Sequence, residues 1–148
     1  MSGARYVFCQ YCDDIRDEVG GKVSLMGMYQ GGMTITGPVP HILPKLVISA
    51  SIATPVSTPF EDLRIEVVHG EHSIQTIDIP ADDLKNGFAA HKDGSTMFAL
   101  QMIMVLQPLV VPTSGKLFVR VHTNGTTLDS NPLHIQVMNS PPLPASSQ

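Results

Sequence analysis

The feature that most constrains the fold of this chain is a two-residue alternation of apolar and polar side chains. Leu63, Ile65 and Val67 alternate with Arg64 and Glu66. The same alternation recurs in three further segments, at residues 46–52, 117–122 and 133–137. Side chains two residues apart share one face of a β-strand, so each segment predicts a strand with one buried and one solvated face, as in antiparallel sheets.

Turn signals separate these segments. Gly20-Gly21 and Asn124-Gly125 predict tight hairpin turns with residues at positive φ, and Asn-Gly is typical of the type I′ turn. A helical period is scarcely present, and only residues 81–87 predict a helical turn. Roughly eight strands with turns about every ten residues predict an all-β fold, an antiparallel two-sheet sandwich, with a closed β-barrel as the alternative. The chain has no Trp, so "immunoglobulin-like" describes this architecture and implies no kinship.

Residues 98–106 differ because apolar side chains occupy both faces, interrupted only by Gln101. This pattern predicts a central strand, or a strand whose outer face meets another chain. Charged residues make up 15% of the chain, whereas about a quarter is usual. The surface is therefore poor in charge, and we expect self-association or a standing protein partner.

Charge and hydropathy exclude several classes of partner. The formal net charge is −4 and no run of Lys or Arg occurs, which argues against nucleic acid, whose phosphates require a basic face. No apolar stretch is long enough to cross a membrane and no signal peptide is recognisable. We therefore expect a cytoplasmic protein with reduced cysteines. Residues 1–138 predict a single domain, and residues 139–148, rich in Pro and Ser, predict a flexible tail.

Cys9-Gln-Tyr-Cys12 matches the C-x-x-C pattern of zinc and redox sites. A structural zinc site needs about four ligands, and the chain has no second cysteine pair. The motif lies in a predicted strand, where residues three apart are separated by roughly 10 Å, beyond the reach of a disulfide. The pattern therefore predicts two buried structural thiols, no bound metal and no cofactor.

The segment 13–18 packs Asp13, Asp14, Asp17 and Glu18 around Arg16. Four carboxylates in six residues could bind a divalent cation or supply acid and base groups. The segment lacks the spacing of a calcium loop. It is the best candidate site in the chain, although a solvated connection between two strands explains the same residues.

The opening of the chain resembles a family of uncharacterised bacterial and phage-borne β-domain proteins. The resemblance rests on three stretches: the acidic run Cys12-Asp-Asp-Ile-Arg-Asp-Glu18, the run Gly20-Gly-Lys-Val-Ser-Leu-Met-Gly-Met-Tyr29, and Leu43-Pro-Lys-Leu46. It implies a sandwich and a bacterial or phage source. It implies no catalytic residues.

These observations favour a non-enzymatic binding or structural module. The alternative is a metal-dependent or acid/base site on the acidic segment. A small-molecule ligand is not expected, because aromatic residues make up only 5% of the chain and offer little for stacking. The residues do not identify a specific partner or pathway.

Overall fold

The alternating segments form β-strands in the computed structural model, which describes residues 4–90 and 94–138. The strands of this part of the chain are β1 (Tyr6–Asp17), β2 (Val23–Met28), β3 (Gly32–Thr36), β4 (His41–Leu43), β5 (Leu46–Pro55), β6 (Leu63–His69), β7 (His72–Ile79), β8 (Met97–Leu106), β9 (Leu109–Val111), β10 (Gly115–Thr123), β11 (Thr126–Asp129) and β12 (Leu133–Met138). A single short helix, α1 (Ala81–Ala89), lies between β7 and β8 in the described residues. The tail predicted for residues 139–148 lies outside the described residues.

The first sheet has four strands in the order β2-β1-β5-β8, all antiparallel. Strands β5 and β8 pair without interruption from Leu46 opposite Leu106 to Pro55 opposite Met97. Strand β8 is an edge strand of this sheet. The prediction that it is central is therefore wrong, and its two apolar faces need another explanation.

The second sheet has the order β3-β12-β10-β6-β7, with β11 also paired to β10. Its prediction as wholly antiparallel is wrong at one pair, because β12 and β3 run parallel. The reason is that the chain leaves the first sheet after β2 and enters the second as β3. Strand β12 is added much later between β3 and β10, and it runs antiparallel to β10 and parallel to β3. Strands β4 and β9 form a small separate sheet. None of the sheets formed by residues 4–90 and 94–138 closes into a barrel, so the structure does not support that alternative.

The two larger sheets share one apolar core, which is consistent with a sandwich. The first sheet contributes the inward side chains of β1, β5 and β8, and the second contributes those of β6, β10 and β12. Fully buried members include Ile48, Ile52, Ile65, Val119 and Leu133. These residues occupy the alternating apolar positions of the sequence, so the two-residue period accounts directly for the core.

The glycine-containing turns adopt the backbone conformations that their sequences favour. Gly20 and Gly21 lie between β1 and β2 with φ of 86° and 74°. Asn124 and Gly125 join β10 to β11 with φ of 49° and 76°, both positive as a type I′ turn requires. Helix α1 includes the predicted helical turn and extends two residues beyond Gly87.

A polar network around Asn131 joins the two sheets. The Asn131 side chain accepts a hydrogen bond from the Cys9 backbone N–H at 2.8 Å and donates one to the Cys9 carbonyl at 2.9 Å. The buried Tyr11 hydroxyl donates to the Asn131 carbonyl at 2.7 Å, and the Ser130 hydroxyl accepts from the Val119 N–H at 3.0 Å. Strand β2 pairs only with residues 12–17 of β1. At Cys9, beyond that pairing, the Asn131 side chain makes the hydrogen bonds that a neighbouring strand would otherwise make.

Candidate functional site

The acidic residues singled out from the sequence lie mostly inside a strand. Asp13, Asp14 and Asp17 belong to β1, which continues to Asp17, and the actual connection to β2 is residues 18–22. The prediction of a polar connection over the whole segment is therefore wrong. The reason is that β2 pairs with this half of β1, with Asp14 opposite Met26 and Asp17 opposite Val23.

The four carboxylates do not share a single partner. Asp13 accepts a hydrogen bond from the Tyr29 hydroxyl at 2.5 Å, and Asp14 pairs with the Lys45 ammonium at 2.5 Å. This cation holds the pKa of Asp14 below its usual range. Glu18 accepts a hydrogen bond from the Ser24 hydroxyl and lies 3.5 Å from the Arg16 guanidinium.

Successive strand residues point to opposite faces, which separates these side chains by geometry. Asp13 and Asp14 are adjacent in β1 and therefore lie on different faces of the first sheet. Within residues 4–90 and 94–138, no group of three or more Asp, Glu, His or Cys side chains is placed to hold a metal ion. The arrangement distributes the charges and does not concentrate them at one point.

The two cysteines are free and buried in β1. Cys9 belongs to the core between the sheets, whereas Cys12 lies on the opposite, outer face of the first sheet, covered by neighbouring strands. Burial raises the pKa of the Cys9 thiol to about 11 and also raises that of Cys12. Since the thiolate is the reactive form, both thiols are held in their unreactive state near neutral pH.

The outer face of the second sheet is charged, and we call it the charged face. It is defined by these polar outward residues of β6, β7, β10 and β11: Arg64, Glu66, Thr76, Asp78, Arg120, His122, Thr127 and Asp129. The apolar Val68 and Phe118 lie beside them on the same side of the sheet and are buried. Arg64 pairs with Asp78 at 2.7 Å and Arg120 pairs with Asp129 at 2.8 Å. A third contact joins Glu66 to the His122 ring at 3.0 Å.

Two carboxylates of the charged face have lowered pKa values because of these contacts. The Arg64 guanidinium lowers the pKa of Asp78, and the hydrogen bond from His122 is the main cause that lowers the pKa of Glu66. Side chains of Arg64, Asp78 and His122 also line an open cleft of about 540 Å³ at the end of this sheet. This cleft could not be predicted from local patterns, because its lining comes from three separate segments of the chain, at residues 62–64, 78–79 and 122–127.

Most of the outer face of the first sheet has the opposite character. We call the part formed by residues 6–12, 47–53 and 99–105 the uncharged face. Its outward residues are Tyr6, Phe8, Gln10, Cys12, Val47, Ser49, Ser51, Ala53, Ala99, Gln101, Ile103 and Val105. Beyond Cys12 the same side of β1 carries Asp14 and Arg16, and Asp14 pairs with Lys45. No residue of 6–12, 47–53 or 99–105 is charged. On this face the Gln101 amide donates a hydrogen bond to the Ser51 hydroxyl at 2.9 Å.

Large apolar side chains on the uncharged face are open to solvent in the described part of the chain. Phe8 is 50% exposed, Ile103 39% and Val105 41%. Helix α1 does not cover them, because Leu84 is buried in the core and the Phe88 ring packs edge-on against the core-facing Phe98 ring at 5.6 Å. The sequence analysis singled out only residues 98–106 of this face. The signal for the rest of it is the absence of charged residues over 6–12 and 47–53.

Together, fold and surface define an all-β protein with several open sheets. One outer face is charged, and the other includes a broad uncharged region over residues 6–12, 47–53 and 99–105. The part of the chain that the structure describes contains no helix that is long and apolar enough to span a membrane. Residues 8–136 match the model of a family of unknown function, DUF6941, and the chain belongs to that family. A search of curated proteins found no match.

Proposed function

We propose that this chain is a non-enzymatic binding or structural module that works by associating with a second copy of itself through the first sheet. The observation that carries the proposal is the contrast between the two outer faces. The charged face has three ion pairs or charged hydrogen bonds, whereas the three strand segments that form the uncharged face contain no charged residue. Exposed apolar surface of this kind marks interaction sites in stable proteins.

The charge distribution favours a second copy as the partner. Each chain has a formal net charge of −4, so the repulsion between two copies is smallest where the contact surfaces bring no like charges close together. The uncharged face satisfies this condition for itself. Two copies that meet through residues 6–12, 47–53 or 99–105 of the first sheet therefore desolvate no ion, which removes the largest cost of burying polar surface.

The placement of the reactive groups supports a role without catalysis. Asp13, Asp14 and Glu18 have separate partners, and the Cys9 thiol is buried with a raised pKa. The immunoglobulin-like arrangement, the bacterial or phage origin and the cytoplasmic location belong to the same proposal. They are supported by the shared core of the two sheets, the resemblance of the opening motifs and the two free cysteines.

Sedimentation over a concentration series tests the proposal. We expect a concentration-dependent species larger than the 16.0 kDa chain at micromolar concentration. Hydrogen exchange at high and low concentration then locates the contact. Added protection should fall on β1, β5 or β8 and leave β7 and β11 unchanged. A 16.0 kDa monomer at all concentrations, or added protection confined to the second sheet, would refute it.

A further inference from the structure

The free edge of β8 is the feature that most sharply limits how a second copy can bind. The Val56 N–H donates to the Thr96 carbonyl at 2.9 Å, which identifies these two opposed residues as a hydrogen-bonded pair of the antiparallel ladder. Such pairs alternate along a ladder. The even-numbered residues of β8 therefore direct their N–H and C=O groups toward β5.

It follows that the odd-numbered residues direct theirs away from the sheet. Ala99, Gln101, Ile103 and Val105 have side chains on the uncharged face and backbone groups at the open edge. Within residues 4–90 and 94–138, none of these four residues makes a backbone hydrogen bond on that side. Met97 is excluded from the set, because its carbonyl accepts a hydrogen bond from the Ser95 hydroxyl.

Strand β8 lacks the features that normally protect an edge. It contains no Lys, Arg, Asp, Glu, Pro or Gly, and its ladder with β5 has no bulge. The other edges of the two larger sheets differ. Strand β2 is interrupted by Gly27 at φ 70°, β3 has only five residues, and β7 carries the ion-paired Asp78. Long, flat, uncharged edges are templates for pairing with another strand.

Two core-facing side chains also remain partly open at this edge. Leu100 and Met102 point to the core side of β8 but are only partly buried, whereas Met104 and Leu106 on the same side are buried. A strand added beside β8 would cover the exposed parts of Leu100 and Met102.

The geometry points to an antiparallel pairing of β8 with β8 of a second copy, centred on Met102. This inference rests on the proposed function and specifies how the first sheet associates. The symmetric register places Ala99 opposite Val105 of the second copy and Gln101 opposite Ile103. In this register the edge-facing backbone groups of all four odd-numbered residues, 99, 101, 103 and 105, form hydrogen bonds with the second copy. The first sheet of one copy then continues into the first sheet of the other.

Cysteine cross-linking tests this register directly. In it, the two Met102 residues form a non-hydrogen-bonded pair with Cα atoms about 4.5 Å apart, within disulfide range. Leu100 of one copy lies opposite Met104 of the other, so the two Leu100 residues are about 13 Å apart along the strands. Under mild oxidation, Met102→Cys should give a covalent dimer on non-reducing gels, and the matched control Leu100→Cys should not. The native Cys9 and Cys12 are buried, so the unaltered chain under the same oxidation gives the background level of cross-linking.

Hydrogen exchange of the unaltered chain gives a readout that needs no substitution. On association, the amides of Ala99, Gln101, Ile103 and Val105 should slow at least tenfold, while the even-numbered amides of β8 are slow in both states. Ile103→Glu should weaken association less than tenfold, and its control Gln136→Glu, which adds the same charge to the second sheet, should leave it unchanged.

The outcomes separate this inference from the proposed function. A monomer at every concentration rejects both. An associating chain without the Met102→Cys cross-link and without alternating protection rejects only edge pairing. A loss of association above a hundredfold in Ile103→Glu indicates packing of the uncharged faces against each other and likewise overturns edge pairing.

Discussion

Replacing Asn131 with alanine should destabilise the fold more than its exposed position suggests. The Asn131 amide makes two hydrogen bonds, at 2.8 and 2.9 Å, to the backbone of the buried Cys9. Each is worth about 0.5–1.5 kcal/mol net, and a buried backbone group left without a partner costs about 1–3 kcal/mol. Because water can reach part of the vacated space, we expect a loss of about 2–4 kcal/mol in the free energy of unfolding.

The measurement is urea denaturation followed by circular dichroism, at one low protein concentration so that association does not contribute. The expected loss corresponds to a decrease in Tm of roughly 5–15 °C for a domain of this size. Asn86→Ala, an exposed substitution in α1, serves as the control and should change stability by less than about 0.5 kcal/mol. If Asn131→Ala matches that control, the amide does not hold the sheets together and the reasoning fails.

Three further predictions follow from other residues. His69 is buried and its Nε2 atom has no hydrogen-bond partner among the described residues. Burial lowers its pKa, so the unfolded chain binds the proton more readily, and the free energy of unfolding should decrease as pH falls below about 6.5. His69→Gln should flatten this part of the profile, and an unchanged slope would contradict the assignment. Asn124 occupies a positive-φ turn position and its side chain bonds the Glu61 N–H and the Pro59 carbonyl. Asn124→Gly should cost about 1–2 kcal/mol through these lost bonds, and Asn124→Ala about 1 kcal/mol more through backbone strain, as measured by denaturation; equal losses would show that the positive φ is unimportant. Cys9 should react with a thiol reagent only as fast as the domain opens, and reaction at the rate of a free thiol at pH 7 would contradict its burial.

The strands and the core could be predicted from sequence because the two-residue period specifies which side chains are buried. Leu63, Ile65 and Val67 were placed correctly for this reason, and all three are buried in β6. The order of the strands could not be predicted in the same way. Nothing local in Phe98–Leu106 distinguishes a central strand from an edge strand, because both faces are apolar in either case.

The candidate site shows a second limit of local patterns. Asp13, Asp14, Asp17 and Glu18 are close in sequence, but the pleat of β1 separates neighbouring side chains. The features that the sequence did not predict arise from distant segments. The contact between Asn131 and Cys9 spans 122 positions, and the cleft beside Arg64 and His122 is lined by several strands and turns. Such pairings depend on topology, which alternation does not encode.

The parallel pair of β3 and β12 has a consequence for how this chain folds during synthesis. Strand β12 lies between β3 and β10, and the preceding Asn131 supplies hydrogen bonds to β1. The N-terminal strands therefore lack essential neighbours until residues 131–138 have left the ribosome. Contacts of such long sequence separation slow folding and leave apolar strands exposed meanwhile. The strands β1, β5 and β8 that form the uncharged face are synthesised before β12, so the nascent chain has an interval in which a chaperone, or another nascent copy, can reach them.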